Sequence, residues 1–145
     1  MTSLSEGDNN ETPIKVLMFL MIVLMLAGCS FTTANYKNLK MASEIDVESS
    51  TPVTVTSSFA SSTPSIYVTG EIDNAPEGTM MKIEWIYLET TPETFILDYE
   101  MEAGDVSHNF YFQLSKPTAG WPPGEYEARL YIDDTLEEVL PFVIE

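Results

Sequence analysis

From residue 65 onward, apolar and polar side chains take turns with a period of two. That spacing selects strands over helices, because alternate residues of a strand fall on opposite faces whereas a helix repeats every 3.6 residues. Ile66, Val68 and Ile72 share one face, with Tyr67, Thr69 and Glu71 opposite; the segment 73–78 (DNAPEG) then has turn chemistry. Met80 to Leu88 points Met81, Ile83, Trp85 and Tyr87 inward and Lys82 and Glu84 outward. A third run sets Phe95, Leu97, Tyr99 and Met101 against Ile96, Asp98, Glu100 and Glu102.

After Gly104 and Asp105, Phe110, Phe112 and Leu114 lie on one face, and a Pro/Gly-rich loop leads to Tyr126, Ala128, Leu130 and Ile132. Asp133 and Asp134 reverse the chain into Leu140, Phe142 and Ile144. Strands of this length, separated by Gly, Pro and Asp turns with no helical stretch among them, predict an all-β antiparallel sandwich of about six to seven strands. With 145 residues the chain has room for one such domain plus appendages. Its 16 aromatic side chains supply more burial than a disordered chain would carry.

The appendages lie at the N-terminus. Val16 to Leu26 is an unbroken apolar run, preceded by Lys15 and followed by Ala27, Gly28 and Cys29. Eleven residues match the apolar core of a signal peptide and fall short of the roughly 20 needed to span a bilayer. Leu26-Ala27-Gly28-Cys29 resembles the lipobox of prokaryotic lipoproteins, and the resemblance implies that Cys29 carries lipid through its sulfur and becomes the mature N-terminus. Residues 1–28 are then a removed signal segment with a polar extension. The alternative is an uncleaved helical anchor from Val16 through Phe31, which Lys37 and Lys40, placed just after the apolar run, would hold with its C-terminal side in the cytoplasm. The lipobox reading places the C-terminal domain outside the cytoplasm, and both readings put it at a membrane. Residues 29–64 read as a linker: 11 of the 17 positions from Ser49 to Ser65 are Ser or Thr, with Pro52 to Phe59 as a candidate first edge strand.

Phe112 to Ile144 looks like the closing hairpin of bacterial and archaeal immunoglobulin-like domains, which have a Pro-x-Gly-x-Tyr entry to a strand. Pro122, Gly124 and Tyr126 fit it. The resemblance covers residues 65–145 and implies an immunoglobulin-like sandwich, with Tyr126 as a tyrosine corner and Trp85 as the core tryptophan of a central strand, without the flanking cysteine pair.

Charge narrows the partners. There are 23 Asp and Glu against 6 Lys and Arg, and 20 against 5 once residues 1–28 are set aside. Nucleic acid, which is bound through clustered cations, is excluded as the expected partner. Chemistry is thin as well. With one histidine, His108, and one cysteine, Cys29, neither a Cys-His pair nor a zinc site assembles, and Ser107 beside His108 points to the other face.

Asp98, Glu100 and Glu102 recur at the ~7 Å repeat of one strand face, the range of paired glycosidase carboxylates, but a domain this small seldom makes the cleft such an enzyme needs. The expectation is no enzyme and no cofactor. Calcium is the one ion to weigh, at Asp73, Asn74 and Glu77, or at Asp133 and Asp134. The outward aromatics Tyr67, Tyr111 and Tyr131, with Trp121 in the Pro-rich loop, form a candidate recognition patch, Trp121 being equally suited to cap the core. The function expected from the whole is a membrane-anchored, extracellular, non-catalytic interaction or structural module. The alternatives are a protease inhibitor or accessory subunit of a surface complex acting through the Trp121 loop, and a calcium-binding surface domain.

Overall fold

The computed structural model describes residues 32–106 and 108–145. The expected signal or anchor helix and Cys29 lie outside the described residues. What is described is all-β, apart from one 3₁₀ turn at Ala103–Asp105. Its strands are β1 (Asn35–Asp46), β2 (Thr51–Val55), β3 (Ser58–Phe59), β4 (Ser65–Asp73), β5 (Met80–Tyr87), β6 (Thr94–Glu102), β7 (Asn109–Ser115), β8 (Gly124–Ile132) and β9 (Thr135–Ile144). They form two sheets, β2-β1-β4-β7 and β3-β9-β8-β5-β6. Neighbours pair antiparallel, with β3 against β9 parallel.

The alternation read from the sequence sets the core. Ile66 and Val68 on β4, Phe110, Phe112 and Leu114 on β7, Met81, Ile83 and Trp85 on β5, Ala128, Leu130 and Ile132 on β8, and Phe142 and Ile144 on β9 are all buried between the sheets. Phe142 gathers the aromatics. Trp85 and Phe59 meet it edge-on at 6.0 and 5.8 Å between ring centroids, and Tyr126 stacks on it at 5.1 Å. The β8–β9 hairpin turns on Asp133 and Asp134, both in the left-handed region at φ 46° and 64°, the conformation of a two-residue turn that matches strand twist.

Three expectations need correction. First, the sandwich begins well before Ser65. The stretch expected as linker contributes β1, β2 and β3, making nine strands rather than six or seven, and β1 lies in the interior of its sheet between β2 and β4. β1 escapes a period-two reading because it is bulged twice. One shift lies between Lys37 and Lys40, where Asn38 takes φ 52°, and another lies between Ala42 and Glu44. Each extra residue swaps the faces, so Met41 and Ala42 are both buried although adjacent. Gly70 on β4 accommodates the first bulge, since a Cβ there would lie 2.6 Å from Leu39 Cδ2 and 3.0 Å from Phe110 Cζ.

Second, Thr69 is buried rather than on a wet face. The β1–β2 hairpin curls over it far enough for Asn109 Nδ2 on β7 to donate to the Ser49 carbonyl at 3.1 Å. Third, β6 does not alternate as written. Trp85 pairs with Leu97 but Ile86 pairs with Phe95, so one residue is bulged out of register between them. Phe95 therefore shares the outer face with Ile86, while Leu97, Tyr99 and Met101 keep the inner face of Trp85, Ile83 and Met81.

Candidate functional site

β6 ends the five-stranded sheet and pairs only with β5 among the described residues, so its outer edge offers backbone N–H and C=O groups to solvent. The facing sheet has four strands, and β6 overhangs it. Leu97 and Tyr99 face inward yet are 40% and 57% exposed, and Phe95 on the opposite side is 53% exposed. Between this overhang and β7, the edge strand of the other sheet, runs an open groove of about 420 Å3 lined by Tyr99, Met101, Val106, Phe110 and Phe112. Tyr99 and Phe112 meet edge-on across it at 6.1 Å.

The outer face of β6 carries Asp98 and Glu100. Asp98 lies across from Glu84 and Glu100 across from Lys82. Lys82 turns elsewhere, to Glu84 at 3.3 Å, to Asp134 at 3.8 Å and over the Tyr131 ring at 4.4 Å. Both carboxylates stand on an exposed strand rather than in a cleft, while Glu102 is used structurally, accepting from the Gly78 N–H at 3.0 Å. That arrangement presents fixed negative charge; it does not enclose a substrate.

The four aromatics expected as one patch are dispersed. Tyr67 and Tyr111 lie on the outer face of the four-stranded sheet with rings 6.2 Å apart. Tyr131 lies on the outer face of the other sheet, where its hydroxyl donates to Glu84 at 2.7 Å. Trp121 is buried in the core cluster, and its Nε1–H donates to the Thr63 carbonyl at 2.7 Å. Its indole closes one end of the sandwich, so the loop has no aromatic anchor to offer an inhibited enzyme. Tyr126 is built as the resemblance implied, its hydroxyl donating to the Pro122 carbonyl four residues upstream. Burial, and secondarily the neighbouring Tyr87, pushes that phenol up to about 12.

The residues weighed for calcium do not converge. Asp73 is bonded to Lys37, which holds its carboxyl below the usual range, and its other oxygen meets His108 Nδ1 at 3.0 Å. Asn74 supplies its backbone carbonyl to Thr33, and Glu77 stands in solvent. Asp133 Oδ1 accepts from the Met80 N–H at 2.9 Å. Among the described residues no three acidic, His or Cys side chains are grouped to hold a metal. His108 is half exposed and bridges Asp73 to Glu71, its Nε2 lying 3.3 Å from Glu71 Oε2, while Ser107 lies outside the described residues. The open β6 edge was hidden from sequence reasoning because its signal, an apolar alternating strand, is the same as that of a buried one.

Among solved structures, an immunoglobulin-like protein from Pseudomonas aeruginosa superposes with a TM-score of 0.52 at 11% identity, over 77% of this chain and 97% of that one. The fold is immunoglobulin-like. This immunoglobulin-like sandwich also matches part of a Pseudomonas fluorescens alkylpurine DNA glycosylase, AlkC, bound to DNA containing an abasic site analog. That match has a TM-score of 0.46 at 11% identity and covers 77% of this chain but 30% of that one. At that score the second likeness carries no argument. No family model and no curated protein matches the sequence. An immunoglobulin-like fold of this kind agrees with a non-catalytic module, and what such a module contacts is decided by its surface rather than by its topology.

Proposed function

We propose that this chain is a non-catalytic interaction or structural module, held on the outer side of a cell membrane by lipid on Cys29. The observation that carries the anchoring is Leu26-Ala27-Gly28-Cys29 at the end of an eleven-residue apolar run, in a chain with no other cysteine. A sandwich without a disulfide fits that use of the one thiol. The module reading is supported by the enclosed core and by carboxylates and a histidine that stand exposed or tied in ion pairs rather than grouped in a cleft. Because β1 starts at Asn35, six positions after Cys29, the tether spans at most roughly 20 Å. The sandwich then rides close to the lipid surface and not at the end of a long Ser/Thr stalk.

Intact-mass measurement of the protein from the membrane fraction tests this directly. The expected mass is that of residues 29–145 plus a diacylglycerol on Cys29, and Cys29→Ser moves the protein out of the lipidated form. A full-length, unmodified mass for the native chain overturns the anchoring.

A further inference from the structure

We infer that the β6 edge is a docking site for an extended segment of a partner protein in which apolar residues alternate with Lys or Arg. The segment would add a sixth strand to the five-stranded sheet. This inference rests on the module reading above and names what the module binds.

Three observations converge on that chemistry. The free edge of β6 offers a row of backbone donors and acceptors that an incoming strand satisfies, which gives affinity without a preformed pocket. On the inner side, Leu97 and Tyr99 overhang the facing sheet, and the groove beside Phe112 and Met101 has room for the apolar side chains of a neighbouring strand. On the outer side, Asp98 and Glu100 stand in a row whose nearest cation, Lys82, is turned to Glu84 and Asp134. A strand pairing with β6 places alternate side chains against each of these faces. The pattern that fits is therefore apolar toward Leu97 and Tyr99, and cationic toward Asp98 and Glu100.

The same geometry disfavours a second copy. Two β6 strands laid edge to edge would bring Asp98 and Glu100 against their own counterparts, and each chain carries a net charge of −17. β6 lacks the lysines and prolines that ordinarily blunt an exposed edge, so negative charge is what guards it against self-pairing. A guard of that kind rejects like copies and admits a basic strand.

The test uses the full chain in detergent micelles and a synthetic nine-residue peptide with Lys at odd positions and Val or Phe at even ones. Two control peptides keep the composition, one with all Lys at one end and one with a central Pro. The alternating peptide should bind one to one, slow hydrogen exchange in β6, and weaken by about tenfold or more on Leu97→Lys or Tyr99→Lys. Asp98→Asn with Glu100→Gln, changes at exposed positions that leave the fold intact, should reduce both affinity and its salt dependence. Equal binding of either control peptide, or indifference to the Asp98 and Glu100 changes, overturns the inference. So does a dimer of the chain that disappears with Tyr99→Lys, which would make a second copy the occupant. Failure of the peptide leaves the Cys29 mass result standing, and an unmodified Cys29 leaves the peptide result standing, so the two readings fail separately.

Discussion

A chain trimmed to residues 65–145 is expected to show no cooperative unfolding, whereas one beginning at Thr32 melts as a single unit. The trimmed chain keeps every segment that alternates cleanly, but it loses β1, β2 and β3 and leaves the four-stranded sheet with two strands. It also loses Tyr36, Leu39, Met41 and Phe59 from the core or its margin. Tyr36 packs on Phe110 at 5.5 Å and donates its hydroxyl to the Tyr131 carbonyl, a tie from one sheet to the other. Four such side chains at ~1.5–3 kcal/mol each amount to roughly the whole net stability of a small domain, about 5–15 kcal/mol. Trp121 would lose its hydrogen-bond acceptor, Thr63, in the same cut. Thermal melting followed by circular dichroism distinguishes the outcomes, and a sigmoidal melt of the trimmed chain would place β1 outside the cooperative unit.

Trp85→Ala is expected to cost about 3–5 kcal/mol, the largest effect of any single core substitution here. Trp85 is fully buried at the centre of the sandwich, against Phe142 and on the strand that both β6 and β8 pair with. No neighbouring strand can close over so large a void. Trp85→Phe isolates the cause. The indole Nε1–H has no hydrogen-bond partner among the described residues, so phenylalanine gives up volume but no bond, and its cost should be well under that of alanine. Urea unfolding of the three proteins measures this. A Phe cost equal to the Ala cost would mean that a bond at Nε1, rather than filled volume, holds the tryptophan in place.

How legible the fold was depended on how regular each strand is. β4, β5, β7 and β8 have one face in the core and no bulge in the part that was read, so their alternation in sequence is their alternation in space. β1 was missed because two bulges put Tyr36, Leu39, Met41, Ala42 and Ile45 at irregular intervals, and nothing in the sequence marks Asn38 as left-handed rather than as an ordinary polar residue. Tyr126 was legible because Pro122, Gly124 and Tyr126 form a local motif whose hydrogen bond closes within five residues. The dispersal of Tyr67, Tyr111 and Tyr131 was not, because outward-facing residues on two sheets carry the same pattern as outward-facing residues on one. Exposure of Leu97 and Tyr99 likewise follows from the unequal number of strands in the two sheets, a property of pairing order that period-two spacing does not encode.

Amide hydrogen exchange across residues 32–145 tests the central claim most directly, that these residues form one sandwich closed everywhere except at β6. The account predicts slow exchange of β1 around Met41 and Ala42, matching β5 and β8, together with fast exchange at every second amide of β6, where N–H groups point away from β5. A segment 32–59 that exchanges as freely as a linker, or a β6 protected along its whole length in the unpartnered chain, would contradict it.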